Sequence, residues 1–182
     1  MSEPLEYDLT LYPAAVLRKV ADPVEAFDQE LRDFVAAMFA TMRASKGVGL
    51  AAPQVGVKKR VLVLNPTGDT DPEQDLVLIN PTIVSRDGEK DSMEEGCLSF
   101  PGIYASVTRP ERCTVEAQDL DGNPIRAEYD GFVSRIIQHE YDHLEGVLLV
   151  DRMSSADKLR NKGALEDLVE RHRRARRAAA AD

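Results

Sequence analysis

The sequence has few cysteines, no long apolar run and no signal-peptide pattern in its first residues. Cys97 and Cys113 are the only cysteines among 182 residues. At most one disulfide can form, and in a reducing compartment a free thiol or a metal ligand is the better interpretation. No apolar run approaches membrane-spanning length, and residues 1–6 lack the basic-then-apolar order of a signal peptide. We therefore expect a cytoplasmic protein with no membrane partner.

The sequence also lacks an excess of basic residues. Acidic residues outnumber basic ones by 32 to 23, which gives a formal net charge of -9 and disfavours a protein whose whole surface binds nucleic acid. Only a local patch could do so, and residues 171–177, at the end of a tail predicted helical over 164–180, are strongly basic. This run is either a solvated helix end, whose cations favour the negative pole of the dipole, or a docking patch for phosphate-rich RNA.

The length suits one domain, and the sequence contains no internal repeat. We expect a single catalytic domain over 1–182, with 153–182 as a C-terminal helical tail. Helical spacing of apolar residues predicts an N-terminal amphipathic helix over 24–45. Short branched runs predict strands, with a turn at 87–88 and a hairpin at 121–123. The predicted strands are 60–66, 76–81, 82–85, 106–108, 113–117, 125–129 and 147–150. Together these elements indicate an α+β fold with antiparallel sheets.

His139 and His143 are two of only three histidines, and they are spaced four residues apart. Residues i and i+4 share one face of a helix, so both imidazoles could reach one ion, with Glu140 beside them as a base. The surrounding apolar residues recur at helical spacing, and Gly146 suits a left-handed helix stop. The alternative is an amphipathic helix whose histidines only form hydrogen bonds.

Two histidines leave a catalytic zinc-type site without its third protein ligand. Cys97 lies beside a glycine and near two carboxylates, which is unusual for a cysteine that only fills a core, although many cysteines do only that. We expect Cys113, in an apolar strand, to be such a core-filling residue. Residues 47–56 form a run of small residues around Gln54, which either lets another backbone approach closely or simply packs tightly on the preceding helix.

Three segments of the chain resemble the signature motifs of peptide deformylases, in the same order and with similar spacing. They are residues 47–54 (GVGLAAPQ), 95–99 (EGCLS) and 138–143 (QHEYDH). Residues 16–18, 79–81 and 144–146 also resemble the family, so the similarity covers roughly residues 10–152. The resemblance implies antiparallel sheets around a central metal-binding helix.

The resemblance implies that Cys97, His139 and His143 bind one divalent metal ion whose fourth position is open to water. A Cys-His-His set with an open position is a catalytic arrangement, whereas structural sites are usually closed by four protein ligands. The family often uses ferrous iron and accepts nickel, cobalt or zinc. We therefore expect Fe2+ as the native metal, with Zn2+, Ni2+ or Co2+ as possible occupants.

The implied reaction is hydrolysis of the N-formyl group from N-formylmethionyl nascent peptides, which releases formate. Glu140 would transfer protons, while the Gln54 amide and the Leu98 N–H would stabilise the oxyanion with the metal. By the same resemblance, Val48, Gly49 and Gly96 would pair with the peptide main chain like an added strand. Three residues of the metal helix are candidates for the wall of the methionine pocket: Phe132, Val133 and Ile136.

Two further expectations follow from the family. Some members dock on the ribosome through a carboxy-terminal helix, which the basic tail matches in kind, and some carry a peptide-contacting arginine where this chain has Tyr104. Two rival functions are kept. One is a zinc peptidase of the His-Glu-x-x-His type whose third ligand is a downstream carboxylate such as Glu166, and the other is a non-catalytic ribosome-binding relative.

Overall fold

The computed structural model describes residues 6–180. Residues 1–5, 181 and 182 lie outside the described residues. The expectation that the first residues are not a signal peptide therefore falls mostly on residues that the structure does not describe. The strands are β1 Gly49–Ala51, β2 Val61–Leu64, β3 Leu76–Gly96, β4 Tyr104–Gln118 and β5 Pro124–Tyr129. The helices are α1 Gln29–Ala44, α2 Gly131–Leu144, α3 Leu149–Arg152, α4 Ser155–Arg160 and α5 Lys162–Ala179. The α+β class is confirmed.

The described strands form one antiparallel sheet in chain order, β1-β2-β3-β4-β5. The predicted turn at Asp87-Gly88 is wrong, because β3 continues through it and pairs with β4 from Ile79–Gln118 to Gly96–Tyr104. Gly88 has a φ of 82°, and the register shifts between Asp87 and Lys90. A β-bulge-like irregularity in the long β3–β4 pairing therefore takes the place of the predicted turn. Glycine within a strand pattern signals either a turn or a bulge, so the sequence could not distinguish them.

Helix α1 begins later than residue 24, the predicted start. The Asp28 side chain accepts a hydrogen bond from Leu31 N, which caps the helix. Before the cap, Val24 exchanges hydrogen bonds with the Asn80 side chain, at 2.7 Å through its N–H and 2.9 Å through its carbonyl. Val24 is buried although it is not helical, so the predicted start at residue 24 is wrong.

Helix α2 packs across the sheet against β1, β2 and β4. Ile136, Ile137 and Leu144 are buried in one cluster with Leu62 and Leu78 of the sheet. Gly146 ends this segment with a φ of 71°, and a side chain there would meet the Arg18 carbonyl at 2.6 Å. The predicted helix and its glycine stop are confirmed.

The predicted strand at 147–150 is wrong. Asp151 Oδ2 accepts the Leu148 N–H at 2.8 Å and caps α3, so this apolar run starts a helix instead. The tail helix is confirmed as α5, whose Leu168 is buried with Leu17, Phe100 and Ile103. Within residues 6–180, no helix combines the length and apolar character needed to cross a membrane.

Candidate active site

Helix α2 and the end of β3 bring a thiol and two imidazoles together. His139 and His143 lie one turn apart, with ring centroids separated by 5.3 Å. Cys97 directly follows β3, and its Sγ lies 3.3 Å from His143 Nε2. One donor atom from each of these three residues lies within 4.8 Å of the others, and no second such cluster occurs in the described part of the chain.

This donor set fits a divalent transition metal. Thiolate and imidazole are the ligands that zinc and iron prefer, and three protein ligands leave a coordination position open. Burial lowers the pKa of His143 well below its usual value, which keeps the ring in the neutral form that metals bind. Burial also opposes protonation of His139, but hydrogen bonds to Cys97 and Glu95 raise its pKa, so a metal would have to compete with a proton for this ring.

Glu95 orients the His139 ring. Its Oε2 lies 3.0 Å from His139 Nδ1, which leaves Nε2 for a metal. Arg109 donates to both Glu95 oxygens, at 2.7 and 2.9 Å, and Arg135 donates to Oε1 at 2.8 Å. Burial favours the neutral acid, but the hydrogen bonds from His139 and Arg109 outweigh it and hold the pKa of Glu95 at about 2. The carboxylate is therefore ionised at neutral pH.

Arg109 links this carboxylate to a second one on α2. Its Nη1 donates to Asp142 Oδ2 at 2.9 Å, and Arg152 at the end of α3 donates to the same carboxylate. Glu95, Arg109 and Asp142 are all buried. Buried charges persist in proteins when they are paired in this way, and removing one partner leaves the other uncompensated.

Glu140 lies beside the three donors and is suited to proton transfer. It is 5% exposed, and its Oε2 has no hydrogen-bond partner among the described residues. Burial raises the pKa of Glu140 to about 7. A carboxylate with a pKa near the working pH can both accept and release a proton.

The Gln54 side chain is held so that its NH2 group faces the same space. Gln54 Oε1 accepts the Ala51 N–H at 2.8 Å, so the amide nitrogen points away from β1. Nε2 lies 3.6 Å from Cys97 Sγ and 3.4 Å from Ser99 Oγ. The arrangement therefore presents a fixed donor next to the thiol.

A cavity of about 740 Å³ opens onto these groups. Val48, Gly49, Gly96 and Leu98 line it, together with Gln54, Cys97, His139 and Glu140. Strand β1 is at the edge of the sheet, with β2 as its one neighbour among the described strands. The predicted substrate residues thus lie along a cavity with a free strand edge, where an extended peptide could pair.

The chain is similar to known proteins over most of its length. A model of the family described as polypeptide deformylase matches residues 7–159. The peptide deformylase of Chromobacterium violaceum is 48% identical over 155 residues, which cover 85% of this chain and 91% of that protein. The chloroplastic peptide deformylase 1B of Oryza sativa is 43% identical over 143 residues, 79% of this chain and 53% of that protein.

The chain belongs to the polypeptide deformylase family.

Solved structures of peptide deformylases superpose on this family member. The enzyme of Plasmodium falciparum does so with a TM-score of 0.89 and 38% identity, covering 91% of this chain and 97% of that one. A mutant of peptide deformylase 1B from Arabidopsis thaliana gives a TM-score of 0.90 and 38% identity, covering 92% of each chain. The resemblance recognised from three motifs is confirmed.

Two of the expectations about this deformylase's cavity wall need refinement. Phe132 and Ile136 line the cavity, but Val133 packs against the apolar cluster under α2 and does not. Tyr104 pairs with Gly96 across β3 and β4, and its ring lies 2.8 Å from where a Gly96 Cβ would be. Tyr104 also lines the cavity and is half exposed, so its ring is part of the cavity mouth.

The ion pairs among Glu95, Arg109 and Asp142 in this deformylase were not predicted from its sequence. Glu95 and Asp142 stand inside quoted motifs but received no function. Arg109 had a usable signal, since Ala105, Val107 and Arg109 alternate onto the buried face of β4. A charged residue at a core-facing strand position predicts a buried partner of opposite charge.

Proposed function

We propose that this deformylase hydrolyses the formyl amide of N-formylmethionyl nascent peptides with a metal held by Cys97, His139 and His143. The enzyme is an amide hydrolase acting on the N-formyl group of new chains, and its products are formate and a free amino terminus. A divalent ion in this site would supply Lewis acidity, making water more acidic and polarising the formyl carbonyl.

Glu140 is proposed to move the protons. It accepts one from the attacking water and delivers one to the leaving nitrogen, which would otherwise depart as an unstable anion. Its burial and raised pKa suit both steps, because a fully exposed carboxylate would be too weak a base at neutral pH. The single observation that carries this assignment is the unpartnered Glu140 Oε2 beside the Cys97, His139 and His143 cluster.

Gln54 and Leu98 are proposed to stabilise the oxyanion that forms on the formyl group. The Gln54 amide has its oxygen fixed by Ala51 N, so only its N–H groups can face a developing negative charge. The second proposed donor is the main-chain N–H of Leu98, the residue that directly follows Cys97 in the chain. Such donors act mainly in the transition state, so their loss should lower kcat more than it raises KM.

The peptide main chain is proposed to pair with the free edge of β1 at Val48 and Gly49, and with Gly96. Main-chain pairing accepts any side chains, which suits an enzyme whose substrates are many new proteins. Phe132 and Ile136 supply apolar surface for the methionine side chain. Selectivity then lies in the formyl group and this apolar wall.

The decisive experiment is formate release by protein prepared anaerobically with ferrous iron. We expect formate from a formyl-Met tripeptide and none from the unformylated tripeptide, which has no acyl group to lose. We also expect no acetate from the acetyl-Met tripeptide, because selectivity lies in the formyl group. Equal hydrolysis of an internal peptide bond would instead support a zinc peptidase. No release from any peptide by fully iron-loaded protein would support a non-catalytic relative.

The third ligand separates the deformylase from the peptidase. We expect Cys97→Ser to lose most bound metal and activity, and Glu166→Ala to keep both, because the Glu166 side chain is 68% exposed and pairs with Lys162. If Cys97→Ser keeps metal and activity while Glu166→Ala loses both, the third ligand is Glu166 and the peptidase function is favoured. Fe2+ is proposed as the native ion, and metal analysis of protein purified without oxygen tests it against Zn2+, Ni2+ and Co2+.

The cytoplasm is proposed as the compartment and the ribosome as a further partner of α5. Five arginines near the end of α5 are exposed, in a chain of net charge -9. They are Arg171, Arg173, Arg174, Arg176 and Arg177. We expect co-sedimentation with ribosomes that weakens as salt rises and is lost when these arginines become glutamine. Binding by the glutamine variant equal to that of the parent would rule out this surface.

A further inference from the structure

The segment before α1 contacts both turns that carry the proposed oxyanion donors. Thr10 donates its main-chain N–H to the Gln54 carbonyl at 2.7 Å. Two residues later, Tyr12 donates its N–H to the Ser99 carbonyl at 3.0 Å. These turns are separated by more than forty residues in sequence, at 52–55 and 97–100, and one short stretch of chain spans them.

The Tyr12 side chain adds a second contact to the cysteine turn. Its ring stacks on Phe100, with centroids 4.9 Å apart and planes inclined by 23°. Phe100 is 1% exposed, and its N–H donates to the Cys97 carbonyl at 2.9 Å. The ring therefore holds the residue that closes the turn containing Cys97, Leu98 and Ser99.

Ser99 connects this turn to the other donor. Its side chain is fully buried, and its Oγ lies 3.4 Å from Gln54 Nε2. A shift of Ser99 would thus move a neighbour of the Gln54 amide as well as the peptide group next to Leu98. Both proposed oxyanion donors depend on the placement of one turn.

We propose that Tyr12 is a positioning residue for catalysis, which sets the distance between the Gln54 and Leu98 donors through Ser99 and Phe100. The inference rests on the oxyanion roles proposed above. Tyr12 itself does not line the cavity. Oxyanion donors act over short distances, and misplacement by about 1 Å can cost on the order of 10²-fold in rate.

The test compares Tyr12→Ala with Tyr12→Phe on iron-loaded protein. We expect the alanine variant to lose about tenfold in kcat with KM for a formyl-Met tripeptide within about twofold, because the donors act in the transition state. The phenylalanine variant should restore kcat, since stacking requires only the ring. If alanine lowers stability too far, Tyr12→Leu keeps an apolar side chain without a planar ring and should show the same loss.

Leu11→Ala is the matched control. Leu11 lies between the two residues whose N–H groups contact the turns, and it is 37% exposed. It should keep wild-type kcat. Melting temperature and iron content are measured for every variant, and kcat is expressed per bound iron. A lower melting temperature for Tyr12→Ala with unchanged kcat would overturn the inference, because Tyr12 would then serve stability alone.

Gln54→Ala separates this inference from the proposed oxyanion roles. If Gln54→Ala lowers kcat while Tyr12→Ala and Tyr12→Leu do not, the positioning role is wrong and the oxyanion role stands. If Gln54→Ala keeps full kcat, the oxyanion assignment fails and the inference falls with it. We expect the double variant Tyr12→Ala/Gln54→Ala to lose less than the product of the two single losses, since part of the Tyr12 effect passes through Gln54.

Discussion

The two buried carboxylates of the cavity, Glu95 and Glu140, have pKa values shifted in opposite directions. Glu95 is buried, but hydrogen bonds from His139 and Arg109 outweigh burial and lower its pKa to about 2, whereas burial raises the pKa of Glu140 to about 7. Two carboxylates a few residues from the same metal ligands thus take different tasks. Glu95 stays ionised and orients the His139 ring, and Glu140 is the carboxylate proposed to exchange protons.

Glu140→Gln should retain metal and lose turnover. The amide keeps the size of the side chain but cannot accept a proton, so we expect kcat to fall by about 10² to 10⁴. Iron content should stay near one per chain, since Glu140 is not among the three donors. Turnover within a few-fold of the parent enzyme would show that another group moves the protons.

Glu95→Gln should weaken metal binding. Outer carboxylates that orient a ligating histidine typically contribute about 10- to 100-fold to metal affinity, and this loss is expected in a chelator competition with Co2+. Stability should also fall by about 3 kcal/mol in urea unfolding, because Arg109 and Arg135 lose a buried counter-charge. Glu94→Gln, at the exposed neighbouring position, is the control and should change neither quantity. Unaltered Co2+ affinity in Glu95→Gln would remove the orienting role.

At the scale of residues, the sequence predicted what local spacing determines. His139, Glu140 and His143 share a helix, so their proximity follows from helical geometry. That Cys97 approaches His143 depends on how β3 ends against α2, and only the resemblance to a known family predicted it. The Arg109 link between Glu95 and Asp142 joins three separate elements, so no local pattern could reveal all its partners.

At the scale of elements, β1 approaches α2 so closely that one glycine is required. A Cβ at Gly49 would lie 2.6 Å from Glu140 Oε1 and 2.7 Å from Ile136 Cγ2. Small residues in this motif were expected to admit another backbone. On the Cβ side of Gly49 the space is taken by Glu140 and Ile136 of α2, which explains why the first motif depends on the third. The main-chain groups proposed to pair with the peptide lie in the plane of the sheet, on a different side of the residue.

Gly49→Ala should therefore impair catalysis more than Gly47→Ala. The new methyl group at 49 must displace Glu140 or Ile136, and we expect kcat to fall by at least about tenfold. At Gly47 the nearest atom is Leu98 Cδ1 at 2.8 Å, the end of a flexible side chain that can rotate away. Steady-state kinetics of both variants, with melting temperatures, test this. Equal effects of the two substitutions would contradict the packing argument.

The sequence predicted the wrong bounds or type for two elements in which a side chain, rather than another main-chain group, forms hydrogen bonds with the main chain. Val24 looked helical by its apolar spacing, but Asn80 satisfies its main chain outside the helix. Residues 147–150 looked like a strand, but the Asp151 carboxylate caps a helix that begins at Leu149. Short apolar runs do not distinguish a strand from a buried helix. Asn80 lies 56 residues from Val24, outside any periodicity window, and Asp151 lies beside its run but is a polar residue that the apolar pattern ignores.

At the scale of the whole molecule, the tail combines two parts with different roles. Met153, in the loop before α4, and Leu168 on α5 are buried with Leu17 and Phe100, so the start of the tail completes an apolar cluster. Beyond residue 170, the arginines of α5 are exposed. We propose that the single domain extends into α5 and that only its basic end is an appendage.

Two truncations test where the domain ends. A chain ending at residue 170 should keep its unfolding free energy and its deformylation of tripeptides, because none of the removed side chains among residues 171–180 is buried. A chain ending at residue 152 loses Met153 and Leu168 and uncovers Phe100, so it should lose about 4 kcal/mol or more in urea unfolding. Its kcat should fall as well, since Phe100 supports the turn that contains Cys97. Full stability after removal of 153–182 would show instead that the whole tail is an appendage to a domain that ends with α3.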